Sequence, residues 1–177
     1  MKKKFFYSLA IAAAVMMTAP VFVSCGDDDD DDGPKPDDKK ATTVKVEYDV
    51  EFPDVAYQYC DITLEYVDED GNVVRTSPLK DDFKKEITVP VDKANRRFSV
   101  SANVALKEEY PTVDNNAIYE VGHDLEIEVA DYDAKGTRLG FKDDASKSTL
   151  KIQGDKLLEY FGRMTTRDYS VGVQYPF

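Results

Sequence analysis

The residues of this 177-residue chain that could carry chemistry are one histidine, two cysteines and thirty-five carboxylates. A general base must be held by a partner, and His123 is followed directly by Asp124. Neighbours along a strand point to opposite faces, so that acid cannot orient the imidazole. His123 instead shares its parity with Tyr119, Val121, Leu125 and Ile127, next to Gly122, and reads as a half-buried structural histidine. A Ser-His-Asp or Cys-His triad would have to use it, and no nucleophile-elbow motif accompanies it. Cys60 lies on the parity of Ile62 and Leu64, which turns its thiol toward the core as an inert small hydrophobe. Glycoside hydrolysis needs two carboxyl groups facing each other across a sugar. The adjacent pairs Glu108-Glu109 and Asp143-Asp144 do not supply that geometry and read as solvated acids. The expectation is a protein that is not an enzyme.

Metal and aromatic chemistry come next. Calcium takes six to eight oxygen ligands, and Asp131-x-Asp133-x-x-Gly136 has the first, third and sixth positions of an EF-hand-like loop. Lys135 and Lys142 then fall where ligands belong, so Asp131 and Asp133 are weak calcium candidates at a hairpin tip, and no cofactor is expected. Tyr57, Tyr59, Tyr110 and Tyr132 stand off the core parity and read as rings at loop tips, able to stack on a sugar or anchor a protein partner. The lack of tryptophan weakens a carbohydrate platform. With 23 basic against 35 acidic residues the formal charge is -12, which argues against nucleic acid as a partner.

These groups must be positioned by strands. Val44, Val46, Tyr48, Val50 and Phe52 alternate with Thr43, Lys45, Glu47, Asp49 and Glu51, the period of a half-buried strand. The same parity recurs in Ile62 to Tyr66, Phe98 to Leu106, Leu125 to Val129 and Tyr169 to Tyr175. Weaker runs at Val73 to Thr76, Phe83 to Val91, Thr137 to Phe141 and Thr149 to Gln153 bring the count to about eight or nine strands. Asp68 to Asn72 and Asp131 to Gly136 read as hairpins whose Gly71 and Gly136 take positive φ. Asp155 to Gly162, with Asp155 at a possible N-cap and Gly162 as a stop, reads as a two-turn helix. The pattern predicts an all-β domain over residues 41–177, two antiparallel sheets packed as a sandwich, with a closed eight-stranded barrel as the other way to bury one face. Strand spacing is similar to that of immunoglobulin-like or transthyretin-like sandwiches, without the Cys-Trp-Cys core of antibody domains.

The start of the chain reads as an address. Lys2 to Lys4 precede a charge-free run, Phe5 to Ser24, with an apolar centre at Leu9 to Met17, which is a secretory signal pattern. Pro20 and the small residue before Cys25 favour cleavage over retention as a spanning helix. Val23-Ser24-Cys25-Gly26 resembles a bacterial lipobox, although Phe22 stands where leucine is usual. That resemblance implies a leader over residues 1–24 and a diacylglycerol-modified, fatty-acylated Cys25 as the new first residue. Asp27 to Asp32 then resembles the export signal of Bacteroidetes surface lipoproteins, implying an outer-membrane anchor facing the cell exterior; the bland alternative is a solubilising linker. Residues 25–40, with Gly33-Pro34-Lys35-Pro36 after the acids, should form an extended solvated tether. The partners implied are a membrane through the lipid, and a glycan or an envelope protein at the domain. The leading expectation is a binding or adhesion module; the alternative is a structural subunit of an envelope or fimbrial assembly that exchanges strands along an exposed edge.

Overall fold

Strict alternation buries one face of a strand only if a second layer covers it, and the computed structural model, which describes residues 40–177, supplies that layer. Eight strands run as β1 (Thr43–Glu51), β2 (Cys60–Val67), β3 (Val73–Arg75), β4 (Phe83–Pro90), β5 (Arg96–Leu106), β6 (Ile118–Tyr132), β7 (Arg138–Gln153) and β8 (Tyr169–Tyr175). They form two antiparallel four-stranded sheets, β4-β1-β6-β7 and β3-β2-β5-β8. Each sheet has two open edges, so the architecture is a sandwich and not the closed barrel. Val44, Val46, Val50, Leu125, Ile127 and Val129 from one sheet meet Ile62, Leu64, Phe98 and Val100 from the other, all with no exposed surface. The only cysteine among the described residues, Cys60, is buried and unpaired, so burial and not a cross-link holds the layers together.

Both hairpins form as the glycines predict. Gly71 has φ 87° and Gly136 has φ 79°, and at each tip an aspartate accepts backbone N–H groups. Asp68 takes those of Asp70 at 3.0 Å and Asn72 at 2.7 Å.

Three local expectations need correction. The runs at 137–141 and 149–153 are the two ends of one sixteen-residue strand, β7, which carries the polar stretch between them because β6 pairs with it throughout. The predicted helix exists as α2 (Leu157–Met164) after a one-turn 3-10 helix at Gly154–Lys156. Asp155 lies in that turn and makes no side-chain cap, and Gly162 sits inside the helix instead of ending it. A further helix, α1 (Asp54–Tyr59), was not foreseen: Pro53 and Asp54 start it after Phe52, and Ala56 and Tyr59 fall on its buried face.

Candidate functional site

The chain enters the sandwich where β1 begins, at Thr43, and the opposite end carries α1, α2 and the loop of residues 107–117. Three of the four candidate tyrosines lie at that opposite end, and their environments differ. The hydroxyl of Tyr57 accepts the N–H of Phe52 at 3.3 Å, its ring meets Phe52 edge-on at 6.3 Å, and burial pushes its hydroxyl up to about 12. Lys107 donates to the carbonyl of Tyr57 at 2.7 Å and through its own N–H to that of Tyr59, tying the long loop to α1. Tyr59 is not a loop-tip ring. Because Tyr59 is the last residue of α1, strand parity does not apply to it, and it lies in the core, stacked on Phe161 at 5.7 Å and 20°. Tyr110 covers it, with centroids 5.7 Å apart, and keeps 44% of its own surface open. Tyr132 is at the other end, half-buried beside the start of β1, with Lys45 over its ring at 5.7 Å. The structure therefore packs Tyr110 on Tyr59, places Tyr57 at the same end against Phe52, and leaves Tyr132 at the other end.

His123 sits between the layers. Its Nε2 lies 3.0 Å from the hydroxyl oxygen of Ser146 on β7, and its ring stands edge-on to Tyr169 at 4.8 Å. Nδ1 is buried without a partner, and burial, aided by the charge of Arg167, lowers the imidazole pKa. Asp124 pairs with Lys147 and does not orient the ring. Gly122 is required beside it: φ is 146°, and any Cβ would meet the Ser148 carbonyl oxygen at 1.9 Å. Cys60 is buried, and burial pushes its thiol up to about 12, which makes the thiolate scarce at neutral pH.

Several carboxylates are committed to the fold. The Asp133 carboxylate accepts the N–H groups of Thr137 at 2.7 Å and Lys135 at 2.9 Å, and these bonds hold it below the usual carboxylate range. Asp131 accepts the Tyr175 hydroxyl at 3.3 Å. Asp133 thus spends its oxygen on its own turn, and among the described residues no three histidine, cysteine or acidic side chains are grouped to hold a metal ion. Asp143 and Asp144 point to opposite faces; Asp143 stands opposite Glu128, while Asp144 accepts the N–H of Gly172 on β8 at 2.9 Å. On the outer face of the first sheet, Glu47, Asp49 and Glu51 stand directly opposite Glu128, Glu126 and Asp124. Lys84 bridges Asp49 and Glu51, and Arg138 meets Glu128 at 2.9 Å.

The second sheet presents a different outer face, with Thr63, Ser99, Ser101, Asn103 and Ser170 on neighbouring strands. Near α2 it forms a shallow groove lined by Glu65, Ser101, Asn103, Thr165, Arg167 and Asp168. Sequence reasoning missed this groove because its residues come from β2, β5 and the turn before β8. Carboxylate, hydroxyl, amide and guanidinium groups side by side can exchange hydrogen bonds with a polyhydroxylated ligand, but no aromatic ring lines it.

The fold and surface define this as an all-β sandwich domain with a polar groove on one face and a carboxylate-rich layer on the other. Set against protein-family models, curated proteins and solved structures, the chain matches none of them. The leader expected over residues 1–24, the lipid site expected at Cys25 and the acidic run Asp27 to Asp32 lie outside the described residues. Among the described residues no helix is long and apolar enough to cross a membrane.

Proposed function

We propose that the chain is a surface lipoprotein of the outer membrane, anchored by acyl chains on Cys25, whose sandwich works without catalysis as a binding or adhesion module. The observation that supports this reading is the polarity of the domain: the chain enters beside Thr43 and Tyr132, while Tyr57, Tyr110 and the groove before β8 lie toward the opposite end. A tethered domain of this kind presents that far end outward. A glycan ligand would be held through hydroxyl and carboxylate contacts in the groove, with Tyr110 the one candidate ring open enough to stack. The test is a glycan array with the intact protein and with Arg167→Ala and Tyr110→Ala. Binding that both changes abolish supports capture; binding that survives both sinks it. Intact mass of the protein from its host, with a free thiol on Cys25 or an uncleaved leader, would sink the anchor.

One observation favours the second reading, a structural subunit that adds strands. β7 is an edge sixteen residues long with no buried side chain, an open ladder for another chain. Concentration-dependent polymerisation stopped by a proline at Ala145 would favour assembly over capture.

A further inference from the structure

The end of the sandwich where the chain enters carries an exposed apolar patch. Leu139, Phe141 and Phe177 keep 40%, 55% and 48% of their surface open. All three lie at or beside the first residues of β7. Phe141 stands opposite Ala130 on the outer face, Leu139 is the unpaired residue of the bulge between Arg138 and Gly140, and Phe177 lies against Gly140, so close that a Cβ there would sit 3.2 Å from its ring. Arg138 stacks on Phe141 at 4.0 Å while pairing with Glu128, and Lys45 lies over Tyr132 while pairing with Glu86 at 3.2 Å. Glu128 and Glu86 each have a basic partner, Glu47 and Asp143 stand opposite Glu128, and aromatic rings and long cationic stems lie at the surface beside them. Exposed rings interleaved with Arg and Lys are the composition that settles at a membrane-water interface.

From this placement we propose that Leu139, Phe141 and Phe177 rest in the headgroup region of the bilayer that holds the Cys25 lipid, with Arg138 and Lys45 toward lipid phosphates. The inference rests on the anchor reading. β1 starts at Thr43, which pairs with Tyr132, itself opposite Arg138, so the attachment point and the patch share one end. Residues 26–40 reach at most about 50 Å when fully extended, so the anchor keeps this end within range of the lipid surface. Seating the patch fixes which face of the domain looks away from the membrane, and a freely tumbling domain would not have that property.

The chain has no tryptophan, so a single introduced indole reports its own surroundings. Phe141→Trp, Phe177→Trp and, at the far end, Tyr110→Trp are made in the chain from Cys25 onward. Each is coupled through Cys25 to a maleimide lipid in vesicles of phosphatidylethanolamine with some phosphatidylglycerol; Cys60 is buried and does not compete. The expected result is a blue shift and an about two-fold loss of emission to brominated acyl chains at 141 and 177, with neither at 110. Emission at 141 and 177 no more quenched than at 110 overturns the seating. Because the lipid is attached chemically, this result is independent of what the host does to Cys25; the intact mass of the host protein alone decides the anchor reading.

Discussion

β1 and β7 flank the same strand, β6, yet they share almost nothing in side-chain environment. In β1 the inward residues Val44, Val46, Tyr48 and Val50 are at most 1% exposed, because β2 and β5 of the other sheet lie beneath them. In β7 the inward positions are Gly140, Lys142, Asp144, Ser146, Ser148, Leu150 and Ile152, and none is buried. What holds β7 is its ladder to β6 along the full length, plus contacts such as Asp144 to Gly172 and Ser146 to His123. The difference teaches that side-chain burial fixes the register of the centre, whereas backbone pairing to an already fixed neighbour carries the edge.

The sharpest way to break this comparison is to truncate one side chain on each strand. Tyr48→Ala removes a fully buried ring and should cost about 4 kcal/mol in a denaturant titration. Tyr48→Phe keeps the ring but leaves the Val67 carbonyl, now 2.7 Å from the hydroxyl, without its donor; about 1 kcal/mol should be lost. Phe141→Ala on β7 should change stability by no more than about 0.5 kcal/mol in either direction. A loss at Phe141 comparable with that at Tyr48 would mean that the edge is stabilised by packing after all.

The same contrast explains what could be read from the residues alone. β1, β5 and β8 were legible because each must hide one face, and period two is the trace of that requirement. β7 was legible only at its two ends, since a strand paired by its backbone and exposed on both faces imposes no pattern on Lys142 to Ser148. The two hairpins were legible because positive φ selects glycine and the turn amides select aspartate. α1 left a signal that parity reasoning overrode: a proline, an acid in the first turn, and Ala56 and Tyr59 three residues apart. Extending the parity of Cys60 and Ile62 back to Tyr59 turned a core ring into a loop-tip one. The groove before β8 left no local signal at all, because three separated segments build it.

The smallest expected effect sits on the outer face between the two strands. Glu126 stands opposite Asp49, and the partial loss of water around its carboxylate first, then the charges of Asp124, Asp49, Asp143 and Glu128, raises its pKa above the ordinary value of 4.5 although the side chain remains exposed. The folded chain therefore holds that proton at a pH where the unfolded chain has released it, and stability falls as pH rises through the window just above 4.5. His123 acts with the opposite sign. Its pKa is lowered, so the unfolded chain takes up a proton first as pH drops below 6.5, and stability falls in that direction. Glu126→Gln should remove the first slope, leave the second, and add a few tenths of a kcal/mol near neutral pH, since Glu126 is exposed and solvent screens most of the repulsion. The gain should shrink in high salt. Denaturation midpoints measured across pH for the parent and the Glu126→Gln chain decide it: a substitution that leaves the acid-side slope intact, or that destabilises at neutral pH, would show that the facing carboxylates of β1 and β6 are already neutralised by Lys84, Lys147 and Arg138.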